Sequence, residues 1–207
     1  IVARTYAHDI VVGLARHASI PVINALTDFL HPCQALADAM TIAEVGDLQR
    51  DRLVYIGDGN NVAHSLLFIA AALGMPLTVC TPPDFAPDRA VVDQAFATAR
   101  GSGADLRLEI DPVAAVKDAA FVYTDVWASM GQEAQASARA EVFRPYQVNA
   151  ALLRGAPADV RILHCLPAHR GEEISAEVID SDRSLVFEQA ENRLHAQKAI
   201  MELLLRS

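Results

Sequence analysis

A histidine and a cysteine, His164 and Cys165, follow the apolar run VRIL and precede Leu166 and Pro167. A core cysteine faces inward from the body of a strand. A thiol at a strand's end, where the backbone turns, meets a ligand instead. Such a thiol can polarise a carbonyl or, as thiolate, accept a proton, with a free pKa of about 8.5. Asp58, Asn60 and Asn61 follow LVYIG, and Asp125, Ser129 and Met130 follow FVYT. The stretch HPCQ, from His31, opens a helix whose free N–H groups and positive dipole end suit an anion or a polarised carbonyl. His31 and Gln34 add side-chain donors on the same turn, although a capping His31 and a solvated Gln34 explain those two equally well. Alone, Asp58 and Asn60 read as turn formers. Three strand ends delivering polar groups to one edge read as a pocket, and Cys165 as a pocket thiol.

The elements that must position these groups alternate. The runs LVYIG, LTVCT, LRLEI, FVYT and VRILHC read as strands, with helical stretches between them. This alternation predicts an α/β fold with a doubly wound parallel sheet, helices on both faces, and ligands beyond the carboxyl ends of the strands. In the helix RAVVDQAFATAR, Val92, Ala95, Phe96 and Ala99 lie along one face. A helical region is expected to run through about Leu153. Two helices stand outside the unit. PCQALADAMTIAEVG has Pro32 in its first turn and Gly46 past its end, with Leu36, Met40 and Ala43 as its expected apolar stripe. EQAENRLHAQKAIMELLLRS is a long amphipathic tail. IVART, a helical stretch and IPVINAL read as strand-helix-strand, the end of another α/β unit whose beginning is missing. The sequence thus reads as a fragment.

The 207 residues are 52% hydrophobic and 21% charged, with a formal net charge of -9. That composition fits a globular protein and argues against nucleic acid as a partner. The most apolar run, VAHSLLFIAAALG, falls short of the roughly 20 residues needed to span a bilayer, so no membrane is expected. Cys33, Cys80 and Cys165 are an odd, scattered set, expected as reduced thiols of a cytoplasmic protein. Cys80 reads as a small buried hydrophobe. His8, His17 and His64 carry no local signal and read as surface or packing residues.

GDGNN matches half of a dinucleotide fingerprint. Gly57 and Gly59 fit, but Val62 fills the third glycine's place. A nicotinamide-dependent dehydrogenase is the alternative this leaves open, and no cofactor is expected. His164, Cys165 and His169 invite a zinc reading, but three or four convergent ligands are needed and no partner motif supplies them; no metal is expected.

FLHPCQALAD, IGDGNN, DVWASMGQE, HCLPAHRGEEI and AENRLHAQKA occur in this order and resemble ornithine carbamoyltransferase along the whole chain. HPCQ occurs in similar form in aspartate carbamoyltransferase; the SMG loop and HCLP point to the ornithine enzyme. The resemblance implies a Rossmann-like ornithine-binding domain with the remnant of a carbamoyl phosphate domain. The implied boundaries are 1–30 for that remnant, 31–46 for a connecting helix, 47–187 for the ornithine domain and 188–207 for the returning C-terminal helix. It implies that Arg4, His31, Pro32, Cys33, Gln34, Cys165, Leu166 and Arg193 bind carbamoyl phosphate. Asn61, Asp125, Ser129 and Met130 are implied to hold L-ornithine, and Cys165, Arg4 and His31 to be catalytic. It further implies a cytoplasmic homotrimer of arginine biosynthesis. The family's Ser-Thr-Arg-Thr phosphate loop is absent, so the chain alone is expected to be inactive, or to be a non-catalytic amino-acid-binding remnant.

Carbamoyl transfer needs a neutral amine, whereas a lysine-like amine has a pKa of about 10.4. Asp125 would favour its charged form and so explains orientation better than deprotonation. A partly ionised Cys165, with Arg193 or His164 lowering its pKa, is the hypothesised base.

Overall fold

The computed structural model describes residues 1–128 and 136–206. Five strands form a wholly parallel sheet: β3 (Leu53–Ile56), β4 (Leu77–Cys80), β5 (Leu106–Glu109), β6 (Phe121–Thr124) and β7 (Arg161–His164), in the order β5-β4-β3-β6-β7. The chain winds outward from β3 in one direction, then returns to β3's other side. The crevice between β3 and β6 is therefore the topological switch point, where open α/β sheets bind ligands. The expected doubly wound architecture is present.

Strand period two divides the core. Leu53, Tyr55, Leu77, Val79, Tyr123 and Leu163 face one side, with α3 (Asn61–Leu73) and α4 (Arg89–Ser102). Val54, Ile56, Cys80, Val122 and Ile162 face the other. There they meet α5 (Pro112–Ala115), α7 (Ala150–Leu153) and α8 (Ala176–Ile179), together with Phe143 at the end of α6 (Ala136–Phe143). Every residue of β3 and β4 is buried, which is why these strands read as continuous apolar runs. α3 ends where Gly74 turns left-handed at φ 74°, a conformation that suits glycine. On α4, Val91, Ala95 and Ala99 are buried while Val92 and Phe96 pack half-buried beside them. The expected helical region through Leu153 is broken: α6 gives way to a 3₁₀ turn, Arg144–Tyr146, and then to α7. Pro145 lacks the N–H that α-helix continuation needs.

A smaller unit precedes the sheet. β1 (Val2–Arg4) and β2 (Ile23–Leu26) pair in parallel, with α1 (His8–His17) between them. α2 (Pro32–Val45) then leads to β3, and α9 (Val186–Arg206) returns from β7 to pack along α2.

The expected stripe on α2 is corrected. Leu36 and Ala43 are exposed; Gln34, Asp38, Thr41 and Ile42 are buried. Polar pairs to α9 cause this. Gln189 Nε2 donates to Asp38 Oδ1 over 2.6 Å, and Asn192 Nδ2 donates to Thr41 Oγ1 over 3.0 Å and to Glu44 Oε2 over 2.7 Å. Buried side chains that satisfy one another resemble a solvated face in a hydropathy pattern.

Candidate active site

A cleft of about 490 Å³ opens over the carboxyl ends of β3, β6 and β7 and is closed on the other side by β1, β2 and the start of α2. Arg4, His31, Asn61, Asp125, Cys165, Leu166 and Arg193 all line it. Pro32, Cys33 and Gln34 do not. Cys33 is buried, its thiol donating to the Asn24 carbonyl over 3.4 Å. Ser129 and Met130 lie outside the described residues.

On the sheet side Asp125 is the focus. β7 ends at His164, so Cys165 stands one residue beyond the strand, and its Sγ donates to Asp125 Oδ1 over 3.0 Å. The Val126 N–H donates to the same oxygen over 2.8 Å, and Asn60 Nδ2 donates to Oδ2 over 2.8 Å. Asn60 also caps α3, its Oδ1 accepting from the N–H groups of Val62 and Ala63. One amide thus finishes a helix and orients a carboxylate.

The thiolate hypothesis for Cys165 is corrected here. The residue is partly exposed, but its thiol lies inward, and this burial pushes the pKa well above the free value; the Asp125 carboxylate pushes it further. Neither expected cation serves the thiol. Arg193 donates to Gln34 Oε1 over 2.6 Å. His164 is fully buried, with Nδ1 accepting from the Leu166 N–H and Nε2 against Glu173. Those contacts also remove His164 from any zinc set, since both ring nitrogens are engaged.

On the opposite side stand His31, Arg4 and Arg193. Burial lowers the His31 pKa to about 3, with the positive charges of Arg193 and then Arg4 adding to it, so the ring is neutral at pH 7. The His31 N–H donates to Ser65 Oγ over 2.7 Å, which fixes the start of α2 on α3. Gln34 reaches the cleft only through Arg193, and its Nε2 donates to Asp38 Oδ1 over 2.8 Å. Burial raises the Asp38 pKa to about 7, against the opposing pull of its hydrogen bonds from Gln34 and Gln189. Arg193 keeps Nε buried without a hydrogen-bond partner among the described residues.

Several contacts around the cleft escaped the sequence reading. Asp58 is buried and pairs with Arg139 of α6. Arg139 also donates from Nε to the Trp127 carbonyl over 2.5 Å and lies over the Phe85 ring. Burial raises the Asp58 pKa, and the guanidinium opposes it. Trp127 is a core residue stacked on Phe143. His64 is buried at the cleft wall, its Nδ1 against the Phe29 carbonyl at 2.9 Å and its Nε2 accepting from the Asp88 N–H at 3.0 Å. Its position three residues after Asn61, one helical turn on, was the available signal.

The glycine-rich turn has no room for a pyrophosphate of the expected kind. Gly59 packs on the chain itself: a Cβ there would stand 2.3 Å from the Pro87 nitrogen and 2.4 Å from the Ala86 carbonyl carbon. Asn60 occupies the helix N-terminus that a dinucleotide would use. The dehydrogenase alternative has no support.

Two family models match the chain. Residues 1–44 match the carbamoyl-P binding domain of aspartate/ornithine carbamoyltransferase, and residues 49–204 match its Asp/Orn binding domain. The chain is 56% identical over 206 residues to an ornithine carbamoyltransferase of Pyrococcus horikoshii and 55% identical to an anabolic one of Pyrococcus furiosus. Each alignment covers 99% of this chain and 65% of the relative, so the chain spans just under two thirds of their length. The solved ornithine carbamoyltransferase of Pyrococcus furiosus superposes with a TM-score of 0.95 at 55% identity, covering 99% of this chain and 66% of that one. That of Gloeobacter violaceus gives 0.89 at 49% identity, covering 97% and 67%. With both models matched in order along a cleft of this architecture, the chain belongs to the aspartate/ornithine carbamoyltransferase family.

Proposed function

We propose that this chain carries the ornithine-binding side, and part of the carbamoyl phosphate-binding side, of an ornithine carbamoyltransferase. The enzyme would move the carbamoyl group of carbamoyl phosphate to the side-chain amine of L-ornithine, giving L-citrulline and phosphate. The observation that carries this reading is the opposition across one cleft of a fixed carboxylate, Asp125, and a cationic side built from Arg4 and Arg193 around a neutral His31. The buried, unpartnered Arg193 Nε is a donor that an anionic oxygen would satisfy. Asp125, oriented by Cys165, Asn60 and the Val126 N–H, suits an ammonium group.

In this reading the amine nitrogen attacks the carbamoyl carbon, the carbon–oxygen bond to phosphate breaks, and phosphate leaves. Donors aimed at the developing oxyanion lower the barrier, each worth about 2.7–4 kcal/mol where one has been removed from a comparable site. Arg4 supplies positive charge there, Asp125 orients the amine, and the departing phosphate takes the proton that the amine sheds. Cys165 acts by fixing Asp125. Pro32, Cys33 and Gln34 act through the backbone of α2 and through Arg193, and Ser129 and Met130 complete the amino-acid side.

The proposal includes the boundaries 1–30, 31–46, 47–187 and 188–207, a role in arginine biosynthesis, a homotrimer and a cytoplasmic setting. Three unpaired cysteines fit a reducing compartment, and among the described residues no helix is long and apolar enough to cross a membrane. Exposed Ile1, Val2, Tyr6, Ile10 and Ile20 leave the N-terminal unit an apolar surface for contacts. Calorimetry tests the substrate: ornithine binds with carbamoyl phosphate present, and putrescine and aspartate bind at least tenfold more weakly. Equal affinity for aspartate ends the ornithine assignment.

A further inference from the structure

Just beyond β7 the backbone takes its least ordinary conformation. Leu166 has φ 56°, the one non-glycine with positive φ among the described residues, and a branched side chain disfavours that region. Three hydrogen bonds hold it there. The Leu166 N–H donates to His164 Nδ1 over 2.9 Å. With that nitrogen accepting, the ring proton sits on Nε2, which donates to Glu173 Oε1 over 3.1 Å. The same carboxylate oxygen accepts the His169 N–H over 2.6 Å. His164 and Glu173 are both 0% exposed, so water does not compete for these bonds. The His164 N–H is itself tied to Gln189 Oε1 over 2.8 Å.

We infer that His164 and Glu173 are positioning residues that clamp the 165–169 turn at both ends and hold Leu166 left-handed, so that Cys165 and Leu166 face the substrate cleft. Neither touches substrate. His164, though adjacent to Cys165 in sequence, does not serve its thiol: both ring nitrogens are committed to the clamp, and Sγ addresses Asp125. The inference rests on the ornithine reading for its functional consequence, not for its geometry.

The test compares this chain with its Glu173→Gln, Leu166→Gly and doubly substituted forms, by ornithine calorimetry with carbamoyl phosphate present. Glutamine keeps one oxygen for both donors, but it removes the charge that strengthens those bonds and puts an amide N–H where Glu173 Oε2 has no hydrogen-bond partner among the described residues. Glycine adopts positive φ freely, so in the Leu166→Gly form the turn no longer depends on the clamp. Glu173→Gln therefore weakens ornithine binding about tenfold when Leu166 is present and less than about threefold when it is replaced. Equal factors in both backgrounds, or an unaltered affinity in Glu173→Gln, overturn the clamp. A second measurement needs no variant: nitrogen-15 shifts place the His164 proton on Nε2, and the Leu166 amide exchanges slowly. An Nδ1–H tautomer or a rapidly exchanging Leu166 amide overturns the clamp even if Glu173→Gln does not fold. Failure of the unsubstituted chain to bind ornithine, with those two signatures intact, counts against the substrate and not against the clamp.

Discussion

Cys165 donates its thiol hydrogen to Asp125 across 3.0 Å, which makes the cysteine a fastener of the carboxylate and not a base for the amine. Burial and the Asp125 charge both raise the thiol's pKa. Iodoacetamide should therefore alkylate Cys165 more slowly than free cysteine at pH 8, with the rate climbing only well above pH 9. Cys165→Ala should retain ornithine binding while turnover, with the N-terminal third of the relatives restored, falls by the loss of a hydrogen bond to a charged group, about 1.5–3 kcal/mol. Fast alkylation at neutral pH would return the thiolate to the mechanism.

The Asp38 carboxyl, buried between α2 and α9, is pushed up to about 7. Its folded pKa lies above the unfolded value, so the folded state holds the extra proton between about pH 4 and 7. Stability from this group is present at low pH and is lost as pH rises through that window. Asp38→Asn removes the loss and should be relatively more stable than the parent at pH 8 than at pH 5. Urea melts at both pH values measure this; a gap independent of pH contradicts it.

His31 runs the other way. Its pKa is lowered to about 3 from the ordinary histidine value of 6.5, so below pH 6.5 the unfolded chain takes up a proton that the folded chain refuses. This contribution is complete above about pH 6.5 and is lost as pH falls towards 3. Ring proton shifts should show no His31 titration between pH 8 and 5. His31→Gln should flatten the acid limb of the stability curve.

Arg139 and Asp58 form a buried pair with one further anchor, the Trp127 carbonyl. Removing the guanidinium strands a buried carboxylate. Arg139→Ala should cost about 3–5 kcal/mol in denaturant melts. Arg139→Lys should recover only part of that, since an ammonium lacks the fork that spans both partners. Full recovery by lysine would show that charge alone matters here.

The sheet was legible because each strand is a short, largely apolar run ending in polar residues, and the same transition placed Cys165 beyond β7 and Asp125 beyond β6. Arg139 was not legible. Its partner Asp58 lies 81 residues earlier, and nothing in the pattern around either residue announces a buried pair. The second role of Asn60 was hidden because a helix cap already explains it. The buried face of α2 was misread because Asp38 and Thr41 look like solvent-facing residues until α9 supplies their partners.

That polar seam between α2 and α9 has a mechanical consequence. Two greasy helices can slip past one another by small steps with little penalty, whereas Gln189, Asn192 and their partners permit one alignment. A slide of one turn, about 5.4 Å, would break every one of those bonds at once and carry Arg193 away from His31. The C-terminal helix therefore behaves as a latch with a single notch, and the cationic wall of the cleft is either fully seated or gone.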